Sequence, residues 1–247
     1  MKALLTIACL ALAGAAFADN EIDAKVEAAL ADAARPAADQ ARDKNRKPLE
    51  TLKFFGMKDN MRVLEIFPGG GWYTRVLAPV LAENGQLYIA LRTDTVVEKV
   101  LSQPGFESVE ALGTSDNAHR PEGASKYVID EFDFGVSDLD MVVTFRNLHS
   151  YDAAGRERIN RAVFDALKSG GLYGVIDHTA RHMEPANSEN RRRMDPVGVI
   201  KELLDAGFEF VDYSDLHYRA DDELEYEVGR RSVTGNTDRF TLLFRKP

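Results

Sequence analysis

The sequence predicts an α/β fold on a largely parallel sheet. An apolar run (Val63, Leu64, Ile66 and Phe67) stops at Pro68-Gly69-Gly70-Gly71, and a helix-compatible segment from Trp72 to Asn84 follows. Strand, glycine turn and helix is the arrangement by which α/β sheets present backbone to a ligand at a strand's carboxyl end. From Met61 onward the same alternation of apolar strand and helical segment recurs, which signals a parallel sheet. The 247 residues are 45% hydrophobic and 29% charged, an ordinary globular balance with enough chain for one sizeable domain of this class.

The first residues are expected to be removed from the mature chain. Lys2 gives a positive start, Ala3 to Ala13 form a short apolar run, and Ala16-Phe17-Ala18 is an A-x-A cleavage site. Residues 1–18 therefore read as a signal peptide, with an exported protein, periplasmic or secreted, beginning at Asp19. The run is too short to span a membrane as a mature helix, so no stable insertion is expected after cleavage. Cys9 is the single cysteine and falls inside this segment, leaving no thiol for a disulfide, a nucleophile or a thiolate metal site. The formal net charge of −9 repels phosphate backbones and argues against nucleic acid as a partner. Arg191-Arg192-Arg193 reads as a solvated helix start, with an anion site as the alternative.

Residues 19–60 read as an N-terminal helical cover. Ile22, Val26, Leu30 and Ala33 recur at helical spacing until Pro36 breaks the pattern. Asp39, Arg42, Asp43 and Arg46 then recur at three- and four-residue steps before Pro48, either as a solvated face or as a cap over a ligand site. Leu49 to Met57 is a helix leading into the main domain, residues 61–247.

Within that domain Arg62–Phe67 is the first strand and Thr74–Leu81 its helix, closed by Asn84-Gly85. Gln86–Leu91 is the second strand, Asp94–Leu101 a helix, and Val109–Leu112 a weak third strand. Residues 118–134 are irregular and polar. Asp140–Phe145 is a buried fourth strand ending in Arg146-Asn147-Leu148-His149. A helix over Ala153–Leu167 is terminated by Ser169-Gly170-Gly171, and Leu172–Ile176, the fifth strand, ends at Asp177-His178. After a polar stretch, Asp195-Pro196 caps a helix over Val197–Ala206. Phe208–Tyr213 and Phe240–Phe244 form a final antiparallel pair around an acidic insertion.

Three consecutive glycines exceed what a tight turn needs, so the glycine turn is the leading ligand site. Pro68 fixes one φ, and the glycines permit positive φ and remove Cβ atoms that would hold a ligand off. A dinucleotide fingerprint would require glycine where Thr74 stands, and no Lys-Ser/Thr follows to make a P-loop. With Glu65 four residues before the first glycine, the stretch resembles motif I of class I S-adenosylmethionine (SAM) methyltransferases, acidic-x-Gly-x-Gly-x-Gly. Gly69 and Gly71 occupy its second and third glycine positions, and Phe67 stands at the first. Leu167-Lys168-Ser169-Gly170-Gly171-Leu172 is similar to the Leu-Lys-Pro-Gly-Gly turn before strand five of these enzymes. More narrowly, the chain resembles a family of predicted, often exported bacterial methyltransferases. That likeness rests on Glu65-Ile66 with Pro68 to Thr74, on Arg193-Met194-Asp195-Pro196, and on Thr237-Asp238-Arg239-Phe240 with Arg245-Lys246-Pro247.

The resemblance implies a Rossmann-like seven-stranded class I methyltransferase sheet with helices on both faces. It implies SAM as cofactor, with Glu65, Pro68, Gly69, Gly70 and Gly71 around its methionine part and Trp72, Tyr73 and Thr74 following. An acidic residue usually ends the second strand to hold the ribose. Here that strand ends Ala90-Leu91-Arg92, so Asp94 is the candidate that reaches back. Asp116 and Asn117 are candidates for the adenine amino group.

Methyl transfer needs the acceptor held in line and, for a hydroxyl or amine, a proton removed. His149 is the candidate general base, because imidazole titrates near pH ~6.5, and Asn147 stands beside it at the same strand end. Tyr151 is a candidate for orienting a substrate. Asp177, His178 and His182 lack ligand spacing and read as loop residues, so no metal site is expected. The leading function is a methyltransferase acting on a small molecule. The alternative is a non-catalytic SAM- or small-ligand-binding protein on the same fold. An NAD(P)-linked oxidoreductase is disfavoured by Thr74 and the missing ribose acid.

Overall fold

The computed structural model describes residues 22–113 and 118–247, so the expected signal peptide, Asp116 and Asn117 lie outside the described residues. Residues 22–31 are helical (α1), followed by three short helices: α2 (Ala37–Gln40), α3 (Asp43–Arg46) and α4 (Pro48–Phe54). The sheet then begins with β1 (Arg62–Ile66), α5 (Thr74–Leu81) and β2 (Gln86–Ala90). α6 (Asp94–Val96) runs into one π-helical turn, Val97–Leu101, where the sequence pattern suggested continuous α-helix. The weak third strand is the two-residue β3 (Glu110–Ala111). Residues 118–134, read as irregular, contain a small antiparallel ribbon of β4 (Ala118–His119) and β5 (Val128–Ile129). β6 (Leu139–Phe145), α7 (Ala153–Ala166), β7 (Leu167–His178), α8 (Pro196–Asp205), β8 (Glu209–Ser214) and β9 (Arg239–Arg245) complete the chain.

The seven strands lie in the order β3-β2-β1-β6-β7-β9-β8. β3, β2, β1, β6 and β7 are mutually parallel, and β9 is antiparallel to both β7 and β8. Ser169-Gly170-Gly171 does not end a helix. α7 gives way to β7 at Leu167, and these residues form a bulge between the Leu139–Leu167 and Met141–Leu172 pairs, with Gly170 at φ +78°.

Strand alternation divides the core into two layers. Leu64 and Ile66 of β1 face one side, packing with Val142, Tyr173 and Val175 against Ile159 and Val163 of α7 and Leu203 of α8. Val63 faces the other side with Met141, Val143 and Ile176, against Val76, Leu77 and Val80 of α5. The N-terminal cover belongs to this second layer, through Ile22, Val26, Leu52 and Phe55. Phe55 seats on Gly174 of β7, where a Cβ would come within 2.6 Å of its ring. The cover is therefore continuous with the core, and it brings α2 and α3 over the carboxyl ends of β1 and β6.

Candidate functional site

Three adjacent strands end in left-handed backbone at the sheet's carboxyl rim. Phe67 follows β1 at φ +57°, Leu91 and Arg92 follow β2 at +63° and +59°, and Arg146 follows β6 at +64°. Such conformations cost non-glycine residues about 1 kcal/mol or more and concentrate at functional sites. Phe67 thus adopts the backbone that the first motif glycine would provide. Its ring is buried, 4.9 Å from that of Tyr151.

The glycines divide into two roles. A Cβ built on Gly69 or Gly70 meets nothing within 4 Å, and both residues line a cleft of about 390 Å³. Gly71 instead faces the body of the protein. At φ +78°, its Cβ would approach Val100 Cγ2 to 2.7 Å, so this glycine permits helix packing and does not line the cleft. Thr74 also lies below the cleft surface. Its hydroxyl donates to Glu65 Oε2 at 2.6 Å. Burial pushes the Glu65 carboxyl up to about 7, opposed by the Thr74 hydrogen bond and by the Arg46 charge. Glu65, Pro68, Trp72 and Tyr73 line the cleft.

Asn147 and His149 share this cleft with the glycine turn. The Asn147 amide donates to the Phe67 carbonyl at 3.0 Å and to the Phe145 carbonyl at 3.1 Å, tying the ends of β1 and β6 together. Its donors are thus committed to positioning, a different role from direct chemistry on a substrate. His149 Nδ1 lies 2.7 Å from Asp177 Oδ1 at the end of β7. Asp177 is fully buried and also accepts the backbone N–H of His149 at 3.1 Å and of His178 at 2.8 Å. An acceptor-only carboxylate at Nδ1 requires the proton there and leaves Nε2 basic. His178 also lines the cleft, with Nδ1 2.9 Å from the Thr237 hydroxyl; burial and neighbouring arginines push its pKa well down, keeping it neutral. The Tyr151 hydroxyl is buried without a hydrogen-bond partner among the described residues.

The roof is supplied by the cover. Trp72 Nε1 donates to the Asp39 carbonyl at 2.9 Å, and Tyr73 stacks on Phe145 with ring centroids 3.4 Å apart. The Arg46 guanidinium lies over the Trp72 ring at 4.4 Å. Its carbonyl accepts from Thr51 Oγ1 at 3.2 Å and His217 Nε2 at 3.0 Å. Of the Asp39–Arg46 pattern, Arg42 and Arg46 border the cleft, Arg46 buried and Arg42 still exposed to solvent. Arg191-Arg192-Arg193 is not simply a solvated run. Arg193 is buried in a bidentate pair with Asp222, while Arg192 pairs with Glu227 and borders the cleft.

A second cavity of about 330 Å³ shares Phe67, Gly69, Gly70, Asn147 and Ser150 with the first and extends toward Arg92, Thr95 and Tyr151. Asp94, expected to reach back to this region, is exposed on α6 and borders neither cavity. Arg92 occupies the rim instead, over the Tyr127 ring at 4.7 Å. Asp177 as the partner of His149, Arg146 on the cleft wall, and His217 under the roof were not legible as site residues; only the strand-end position of Asp177 hinted at its part. Among the described residues no group of three or more His, Cys, Asp or Glu side chains is placed to hold a metal, and His182 is engaged with Asp195 at 2.8 Å. No helix among them is long and apolar enough to cross a membrane.

No protein-family model matches the chain, and no curated protein does either. Solved structures do. A SAM-dependent methyltransferase from Aquifex aeolicus superposes with a TM-score of 0.58 at 18% identity, over 90% of this chain and 97% of that one. The fold is that of the class I SAM-dependent methyltransferases. The glycopeptide N-methyltransferase MtfA complexed with sinefungin gives a TM-score of 0.54 at 16% identity, over 83% of this chain and 94% of that one. The [4+2]-cyclase SpnF gives 0.55 at 15% identity, over 82% and 80%. One architecture therefore carries more than one chemistry, and function has to be argued from the site.

Proposed function

We propose that the protein is a SAM-dependent methyltransferase acting on a small molecule through a hydroxyl or amine. The observation that carries this reading is the joining, in one cleft, of an open glycine turn with a base held by a carboxylate, Gly69-Gly70 with His149–Asp177.

The residues at the β1 end fit the amino-acid portion of SAM. Gly69 and Gly70 leave open space where a Cβ would protrude, Glu65 offers a carboxylate to an ammonium group, and Arg46 offers a buried guanidinium whose Nε has no hydrogen-bond partner among the described residues. When bound, SAM supplies an electrophilic methyl group on a sulfonium. Phe67, Asn147 and Ser150 border both cavities, so a ligand spanning them passes between the glycine turn and the β6 end. Ribose contacts would come from Arg92, Thr95 and Tyr151 in the absence of a strand-end acid.

His149 accepts the acceptor's proton at Nε2 while Asp177 holds Nδ1–H and balances the imidazolium. Asn147 holds the β1 and β6 ends in register, and the roof of Trp72, Arg46 and Tyr73 limits water on the cofactor side. Calorimetric titration with SAM, S-adenosylhomocysteine (SAH) and NAD tests the reading. Binding of SAM and SAH without NAD is expected. Absence of both would remove it. Ligand binding with no turnover across acceptor classes would favour a non-catalytic binding protein.

The reading includes export, with residues 1–18 removed, and it places the protein within the often exported bacterial methyltransferases that its motifs resemble.

A further inference from the structure

The cleft carries a cation that proton transfer and the glycine turn leave unused. Four arginines line it: Arg42, Arg46, Arg146 and Arg192. Arg42 is matched by Asp39 and Arg192 by Glu227. Among the described residues neither the Arg46 nor the Arg146 guanidinium forms an ion pair or hydrogen bond; Arg46 Nε is buried without a partner, Arg146 is half-buried on the cleft wall, and burial lowers the pKa of both. Removing a guanidinium from water without a counter-ion is costly, and such groups are retained where a ligand supplies the anion.

The two are close enough for the Arg146 charge to lower the Arg46 pKa, yet they rise from different elements, Arg46 from α3 over the Trp72 ring and Arg146 from the end of β6. Arg46 is close enough to Glu65 for its charge to lower that carboxyl's pKa, which puts it at the amino-acid end of the proposed cofactor. Arg146 donates its backbone N–H to the Ile176 carbonyl at 2.7 Å, one residue before Asp177, and lines the cleft with His149 and His178, which puts it on the side of the His149–Asp177 pair; the Tyr73 and Asp177 charges both act on it. SAM has one carboxylate, which leaves one of the two positive charges unmatched. The left-handed backbone at Arg146, φ +64°, sets this side chain at the rim just before the base.

We propose that Arg146 anchors an anionic group, carboxylate or phosphoryl, on the methyl acceptor, so that the substrate is a small acid whose hydroxyl or amine is presented to His149. The inference rests on the methyltransferase reading of the cleft. A guanidinium suits either anion, because its planar fork donates two parallel hydrogen bonds to carboxylate or phosphate oxygens. The neighbouring His178, held neutral, adds no competing charge.

The test uses the full-length protein with acetate and inorganic phosphate as probes, at constant ionic strength. SAH is added first, followed through Trp72, the single tryptophan, which lies under Arg46. Each anion is then titrated calorimetrically into the SAH complex. One saturable anion site is expected, weakened at least tenfold in Arg146→Gln and largely retained in Arg146→Lys, while SAH affinity in Arg146→Gln changes less than threefold. Arg46→Gln should show the reverse, losing SAH affinity and keeping the anion site. A preference for acetate identifies a carboxylic acid as substrate, and a preference for phosphate identifies a phosphate ester. Absence of a saturable site, or undiminished anion binding in Arg146→Gln, overturns the proposal. Failure of SAH to bind strikes the cofactor reading instead; anion binding to the free protein that depends on Arg146 would then still support the subsite.

Discussion

His149 Nδ1 and Asp177 Oδ1 are 2.7 Å apart, joining the end of β6 to the end of β7 across the rim of the sheet. The contact determines which imidazole nitrogen is basic and turns a strand-end histidine into an oriented base. His149→Ala is expected to lower turnover by roughly 10²–10⁴-fold with little change in SAM affinity. In Asp177→Asn the amide N–H can face Nδ1 and move the proton to Nε2. Imidazole ¹⁵N shifts at neutral pH should show Nδ1–H in the wild type and Nε2–H in the variant; identical spectra would end this account of the pair.

Glu65 makes stability depend on pH. Its folded pKa, about 7, lies above the ordinary carboxyl value of 4.5, so the native state holds a proton that the unfolded chain has released between those values. The stabilisation is complete below about pH 4.5 and is lost as pH rises through 7, a difference of about 3 kcal/mol. Urea denaturation across this range should show the decline in the ligand-free wild type and a flatter profile in Glu65→Gln. A cation bound beside Glu65 favours its ionised form. SAM binding near pH 6 should therefore release a proton, measurable as a buffer-dependent binding enthalpy.

The glycine turn separates binding from folding. Gly70 has open space above it and no positive φ, so Gly70→Val should fold and lose SAH binding. Gly71→Val meets Val100 from a strained backbone and should lower the thermal midpoint, with any loss of binding following from the damage to packing. Equal SAH affinity in wild type and Gly70→Val would displace the ligand from this turn.

The Arg193–Asp222 pair is almost wholly buried, and Asp222 also accepts the backbone N–H of Asp238 and of Leu224. Asp222→Ala leaves a buried guanidinium and those amides unmatched. A loss of about 3–5 kcal/mol is expected from chemical denaturation.

Export is tested by N-terminal sequencing of protein recovered from its native host. Asp19 is the expected first residue, and recovery of Met1 would refute cleavage.

Much of this architecture was readable because its signals are local. Continuous apolar runs, buried on both faces, placed β1, β2, β6 and the second half of β7, and Phe67-Pro68-Gly69 marked the turn after β1. Asn147 and His149 were legible because polar residues ending a buried strand emerge at the rim. Gly71 was assigned to the ligand because sequence alone does not tell which way a glycine's missing Cβ would point. Asp94 was placed at the ribose by family analogy, whereas the left-handed turn at Leu91-Arg92 directs Arg92 to that rim. The pairing of His149 with Asp177 depends on β6 and β7 being neighbours, and the arginine roof depends on contacts far apart in the chain. Neither leaves a mark in residue spacing.

The bonds to the Arg46 carbonyl also bear on how the protein comes into being. His217 reaches that carbonyl from 171 residues further along, and Arg239 donates to the adjacent Asn45 carbonyl from 194 residues away. At about 5–20 residues per second on the ribosome, these partners appear on the order of ten seconds or more after the segment they hold. A nascent chain thus carries its glycine turn and its base before the bonds that fasten its roof can form. Ligand capture becomes a property of finished molecules, and a chain shortened before His217 would keep most of the chemistry-bearing residues while lacking the fastening that closes the cleft.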